Sequence, residues 1–267
     1  MQERVAERHR HIFSRPEQVA RYLASIHLPA SLTWSFLNNG KAGTSSARRF
    51  LFELEFGAPL TVHWNVRHDI NPDSVVHYLQ GETGVLRAAV ALSTPFATLD
   101  AALRLTTVRH PLTRAVSAFE YLCKSNDLAH DWFAADRLRM NALLGFNWES
   151  DARSARGFSM FLDYIMWTGE SLGNLAINPH WRPQIDNILP DLYRPDIVGR
   201  LEDMRAFYRA TAVQLDRPLP ADFDLPHSNR QEYLARTDWL SPEARRKIGK
   251  IYARDLDWLG YGPEEAG

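Results

Sequence analysis

The sequence predicts an α/β fold in three layers, helices on both sides of a largely parallel central sheet, and three observations carry this. In the N-terminal half, short apolar runs end in turn residues and are followed by segments with helical spacing. The C-terminal half is mostly helical in pattern. No internal repeat, low-complexity tract or Gly/Ser linker divides the 267 residues. Strand-to-helix alternation followed by covering helices is the pattern of a parallel α/β/α arrangement, and one domain over 1–267 is expected, with its ligand loops in the first half.

The elements follow in order. Pro16–Ile26 has helical spacing, and Leu32–Leu37 is an apolar run that ends at Asn38-Asn39-Gly40, as a buried strand entering a turn would. A helix over about Ser45–Phe56 places Phe50, Leu51 and Leu54 on one face, with Thr44 or Ser45 as its N-cap. After Gly57 a second strand is expected at Leu60–Val66. Leu103–Val108 reads as a further strand, stopped by His110-Pro111, and Thr113–Lys124 repeats the helical pattern through Val116, Phe119 and Leu122. Arg156–Thr168, Leu201–Leu215 and Ser241–Leu259 are the later helices, and Ser241-Pro242-Glu243 is a good helix start.

Composition narrows the function. Hydrophobic residues at 45% and charged residues at 24% fit an ordinary globular chain. A formal net charge of −1 provides no global attraction to nucleic acid or an anionic membrane, so an anionic ligand has to be held by local groups. The single cysteine, Cys123, rules out an intramolecular disulfide and a cysteine-based zinc site. Residues 1–15 are rich in Glu, Arg and His without the apolar stretch of a signal peptide, and no run of about 18 apolar residues occurs. A cytoplasmic protein with no membrane insertion is the expectation.

Two loops carry the chemistry. The first, Asn38 to Ser46, lies between a predicted strand and a predicted helix, where the amides at the helix start lack intrahelical partners and the dipole favours an anion. Gly40 and Gly43 allow close backbone approach; Thr44, Ser45 and Ser46 add hydroxyls, Ala42 an amide, and Lys41 a positive charge. The lysine precedes the Gly-Thr pair, so this is not the G-x-x-x-x-G-K-[ST] loop of an ATPase. The second loop is Thr107-Val108-Arg109-His110-Pro111-Leu112-Thr113-Arg114-Ala115-Val116-Ser117-Ala118-Phe119, with an arginine at a strand end and a serine about two helical turns on.

Here the chain resembles the sulfotransferase superfamily, in particular its carbohydrate branch of chondroitin, dermatan and HNK-1 enzymes and, more distantly, the heparan sulfate 2-O type. In that family an arginine closing a strand and a serine eight residues on bind the 3′-phosphate of 3′-phosphoadenosine-5′-phosphosulfate (PAPS), and Arg109 and Ser117 match those positions. Asn178-Pro179-His180-Trp181-Arg182-Pro183-Gln184 is similar to the family's His-Trp-x-Pro segment, and Val198-Gly199-Arg200-Leu201-Glu202 to its Ile-Gly-x-x-Glu segment. Asn229-Arg230 and Ile251 to Tyr261 resemble its C-terminal Asn…Tyr-x-x-Asp-x-x-x-x-Gly-Tyr pattern. The sequence departs from the family at His110, where Asp is usual, and at Gly40-Lys41, where Pro-Lys is usual. It also lacks the cysteines of extracellular relatives.

The resemblance implies a P-loop-like sulfotransferase fold in a bacterial-style soluble form, using PAPS and no metal, and releasing adenosine 3′,5′-bisphosphate. Lys41, Ala42, Gly43, Thr44, Ser45 and Ser46 would hold the phosphosulfate, and Arg109 and Ser117 the 3′-phosphate, with Asn229 and Arg230 added to the cofactor set. The acceptor would be a glycan or other small molecule, met by His180, Trp181 and Gln184. Lys41 is a candidate catalyst. The general base is sought first at His68, then at His63, both near the predicted second strand, with His180 as their rival. An atypical ATP-dependent kinase, or a sugar- or partner-binding protein without chemistry, are the alternatives on the same fold.

Overall fold

The computed structural model describes residues 2–62, 70, 75–80, 83–219 and 237–262. His63, His68, Asn229 and Arg230 lie outside the described residues.

Strands β1 (Ile26–Leu28), β2 (Trp34–Leu37), β3 (Arg87–Ala88), β4 (Leu103–Val108) and β5 (Ile197–Arg200) form one sheet in the order β3-β1-β2-β4-β5. β2 runs parallel to β4, with Trp34 opposite Leu103 and Leu37 opposite Thr106, and β4 runs parallel to β5, with Leu105 opposite Ile197. β1 is antiparallel to both β2 and β3. The expected parallel sheet therefore holds for β2, β4 and β5 and fails at the other edge. The short Pro29–Thr33 connection can make a hairpin but not a crossover, which needs about a dozen residues.

Eleven helices are present among the described residues. They are α1 (Gln2–Arg8), α2 (Pro16–Ala24), α3 (Thr44–Phe56), α4 (Pro95–Ala101), α5 (Pro111–Asp127), α6 (Ala134–Leu144), α7 (Ala155–Leu172), α8 (Gln184–Ile188), α9 (Met204–Gln214), α10 (Pro242–Ile251) and α11 (Ala253–Leu259). α1, α4, α6 and α8 add to the expected helices, and two expected helices differ in extent. α2 stops at Ala24 because Ser25 caps it, its amide and hydroxyl both donating to the Tyr22 carbonyl, and Ile26 then enters β1. The segment expected as one helix over Ser241–Leu259 breaks at Tyr252, whose hydroxyl donates to the Trp181 carbonyl at 2.8 Å. Its start is as read, the Ser241 hydroxyl accepting from the Ala244 amide and Pro242 in the first turn. Of the strand expected at Leu60–Val66, Leu60 to Val62 are not in a strand: Leu60 packs against the core under α3 while Val62 is 57% exposed, and the rest lies outside the described residues.

Successive residues of β2 face opposite ways. Trp34 and Phe36 join Leu105 and the apolar faces of α3 and α9; Leu37 joins Val108, α2, Tyr193 and Leu259 on the other side. A further core without strands packs α5, α6, α7 and α10 around Phe119, Phe158, Phe161 and Trp181. Gly199 allows α9 to lie on β5, since a Cβ there would sit 2.6 Å from the Phe207 ring. No helix among the described residues is long and apolar enough to cross a membrane.

Candidate active site

β2 and β4 are neighbours and parallel, so the loops that leave their carboxyl ends lie side by side. In the first loop Lys41 and Gly43 take left-handed backbone, with φ of 65° and 80°. Gly43 is doubly constrained, because a Cβ would also stand 2.8 Å from Leu201 Cδ1. The Thr44 hydroxyl donates to the Asn39 carbonyl at 3.0 Å and closes the loop, so it serves the loop rather than a ligand. Ala42 is fully buried and can offer its backbone alone. The first intrahelical bond of α3 runs from the Ala47 amide to the Gly43 carbonyl, which leaves the amides of Thr44, Ser45 and Ser46 ahead of it at the positive end of the helix. Ser45 and Ser46 are half-buried beside them.

In the second loop Arg109 is buried, and its Nε donates to the Thr113 hydroxyl at 2.9 Å. The departure at His110 is resolved by its Nδ1, which accepts from the Leu112 amide and so caps α5 as an aspartate would. Its own amide donates to Glu202 at 2.8 Å, and Glu202 also accepts from the Tyr261 hydroxyl at 3.0 Å. The Gly-x-x-Glu and Gly-Tyr segments thus brace the Arg109 turn.

Thr113, Ser117 and Tyr121 are spaced by four along α5 and form one slowly winding stripe. Arg109 rests on Thr113 at one end, and the Lys41 ammonium sits 3.8 Å from the centre of the Tyr121 ring at the other. Eight residues of helix span roughly 12 Å. The two cations therefore flank a single surface with half-buried Ser117 between them.

His180 meets this surface from the Asn178–Gln184 segment. A Cβ on Gly40 would lie 3.3 Å from His180 Cα and 3.4 Å from its Cδ2, so the ring edge next to Nε2 faces the first loop. Gly40 in place of proline is explained by that approach. His180 Nδ1 lies 2.9 Å from Asn178 Oδ1, which also accepts from the His180 amide, while Asn178 Nδ2 donates to Asp136. The shared oxygen is an acceptor, so Nδ1 carries the proton and Nε2 a lone pair. Burial, then the charges of Lys41 and Arg114, push its pKa down to about 3.

The other two acceptor candidates are placed differently from expectation. Trp181 is 1% exposed, packed against Phe133 and Phe161, and presents no face to a sugar. Gln184 is fully buried: its Oε1 accepts from Asn39 Nδ2 and the Arg109 amide, and its Nε2 donates to the Arg109 carbonyl. It laces the two loops together. Asp255 holds Gln184 in turn, accepting from the amides of Gln184 and Ile185, although burial pushes its own pKa up.

Arg114, Tyr121 and Asn39 were not read as site residues from the sequence. Arg114 had a legible signal, since it lies in line with Ala118 and Leu122 on the apolar side of α5, where a charge needs a reason. Among the described residues no group of three or more His, Cys, Asp or Glu is placed to hold a metal ion.

A helix start, a lysine and a buried arginine at adjacent strand ends, with a neutral histidine alongside, make up the candidate site of this α/β protein. The model of the sulfotransferase family matches residues 89–262, more than half of the chain, and the chain belongs to that family. The match includes Arg109, Ser117, His180 and Glu202 and begins after the Lys41 loop. No curated protein and no solved structure matches the chain.

Proposed function

We propose that this sulfotransferase moves the sulfuryl group of PAPS to a hydroxyl of a carbohydrate or other small-molecule acceptor and releases adenosine 3′,5′-bisphosphate. The observation that supports this best is the stripe on α5 with Lys41 at one end and Arg109 at the other. Its donors are amides, hydroxyls, an ammonium and a guanidinium, a set that suits a ligand with separate anionic groups.

PAPS, when bound, supplies an activated sulfuryl group. The amides of Thr44 to Ser46 and the Lys41 ammonium bind and orient the phosphosulfate end, and Lys41 stabilises charge on the departing phosphate oxygen. Arg109 and Ser117 hold the 3′-phosphate. His180 Nε2 takes the hydroxyl proton, and Asn178 keeps the required tautomer. Anionic charge beside Lys41 offsets one of the causes that hold the His180 pKa down, so nucleotide binding makes His180 a stronger base. Phe133 sets its ring 5.0 Å from that of His180, with the exposed Trp132 packed beside Phe133.

Thermal unfolding tests the reading. Adenosine 3′,5′-bisphosphate at saturation raises the melting temperature well above the effect of AMP, because only the former engages both loops. Equal effects of the two nucleotides would count against PAPS as donor.

A further inference from the structure

Arg114 is 1% exposed on α5, yet its guanidinium reaches three backbone carbonyls from two different loops. Nε donates to Gly40 at 2.9 Å, Nη1 to Arg182 at 2.7 Å and Nη2 to Pro179 at 2.9 Å. Gly40 begins the turn that carries Lys41, whereas Pro179 and Arg182 bracket His180 and Trp181. The planar fork of arginine suits this arrangement, since its donors point in fixed directions and a lysine ammonium cannot meet all of these carbonyls in one plane. A second strut runs alongside it: Asn187 Nδ2 donates to the same Pro179 carbonyl at 2.9 Å and to Asn39 Oδ1 at 3.1 Å.

We propose that Arg114 is a positioning residue that fixes His180 against the Lys41 loop and thereby carries the effect of nucleotide binding to the histidine. The contact is tight enough for the purpose. A Cβ on Gly40 would stand 3.3 Å from His180 Cα, so only glycine lets the two loops come this close across the gap that Arg114 bridges, and the fork holds them at that separation. The charge itself is tolerated because three carbonyl dipoles surround it and Tyr252 and Asp255 lie near, which offsets part of the pKa lowering that burial causes. Other groups that act on His180 are Lys41 and His77, both unchanged by a substitution at Arg114. The proposal rests on the PAPS reading, and its test separates the two.

The test uses the full chain labelled with ¹⁵N-histidine and adenosine 3′,5′-bisphosphate as the probe. In the wild type, saturation shifts the His180 imidazole signals. In Arg114→Lys, affinity by calorimetry stays within about 3-fold while at least about half of that shift is lost, because the coupling rather than the binding is weakened. In Gly40→Ala the new methyl displaces His180 by a few tenths of an ångström, so its signals move in the free protein. A folded Arg114→Lys protein with the full His180 shift overturns the proposal, as does a loss of affinity in step with the loss of shift. If Arg114→Lys does not fold, Gly40→Ala decides alone, and unmoved His180 signals there overturn it. Failure of the wild type to bind the nucleotide sinks the PAPS reading instead.

Discussion

Lys41 and Arg109 are both cations on one surface, but their surroundings assign them different work. Lys41 sits on an aromatic face, a contact worth about 0.5–2 kcal/mol that an anion can replace, which suits an ammonium that meets charge as it develops. Arg109 is buried and tied to Thr113, which suits static binding. Lys41→Ala should therefore lower sulfuryl transfer by about 10²–10³-fold, followed with radiolabelled PAPS and a panel of glycosides. Arg109→Ala should chiefly raise the dissociation constant for adenosine 3′,5′-bisphosphate, read by calorimetry. Comparable transfer by Lys41→Ala and wild type would remove the lysine from catalysis. His180 adds a pH signature. Its pKa is about 3 in the folded chain against 6.5 unfolded, so the unfolded chain takes the proton first. The stability that neutral His180 contributes is present above 6.5 and is lost as pH falls from there towards about 3. His180→Asn keeps a donor for Asn178 without the titration, and each kcal/mol moves the midpoint by about 2–4 °C. Between pH 7 and pH 4 the wild-type melting temperature should fall further than that of His180→Asn. Buried His27 is lowered in the same direction in both proteins, so the difference between the curves isolates His180.

Among the elements, those whose identity is local were legible in the sequence and those made by pairing were not. β2 with α3, and β4 with α5, announce themselves by an apolar run, a turn signal and a helical period. β1 and β3 have three and two residues and exist because a neighbour's edge receives them, which no periodicity can encode. β5 escaped for another reason: Val198 is 37% exposed, so the strand lacks a buried run. In the site, the loop residues were singled out by type and position and His180 by the family resemblance, while the burial of Trp181 and the lacing by Gln184 depend on contacts from α7, α8 and strand ends far away in sequence. β5 also offers a test of how elements fit. In Gly199→Ala the added carbon would lie 2.6–2.8 Å from Phe207 atoms, which forces α9 away from the sheet. A loss of about 1–3 kcal/mol is expected from urea unfolding. Because Leu201 of the next turn packs on Gly43, nucleotide affinity should weaken too. Unchanged stability would show that α9 is not held by this contact.

At the scale of the molecule, the two loops belong to separate strand–helix units, and the proposed function requires the chain to keep them in register so that one nucleotide can span both cradles. β2 and β4 pair directly, but the pairing ends at Leu37 and Thr106, before either loop begins. Beyond that point Asn39 Nδ2 donates to the Thr107 carbonyl, Arg114 donates to Gly40, and Gln184 binds Asn39 on one side and both backbone groups of Arg109 on the other. Gln184 itself is placed by Asp255, near the end of the chain, so the C-terminal helices support a site formed by the N-terminal half. Gln184→Leu conserves the approximate volume but leaves the Asn39 amide and the Arg109 N–H and C=O without this partner, at a cost of about 1–3 kcal/mol for each group left unpaired. The informative outcome lies in the ligand dependence rather than in stability alone. AMP cannot engage the 3′-phosphate cradle, so its small stabilisation should survive the substitution. Adenosine 3′,5′-bisphosphate needs both cradles at their proper separation, and at 100 times the dissociation constant it should add about 2.7 kcal/mol to the wild type. In Gln184→Leu that advantage over AMP should shrink towards zero under the same nucleotide concentrations, and a full advantage would mean that strand pairing with the Asn39–Thr107 and Arg114–Gly40 bonds keeps the loops in register without Gln184.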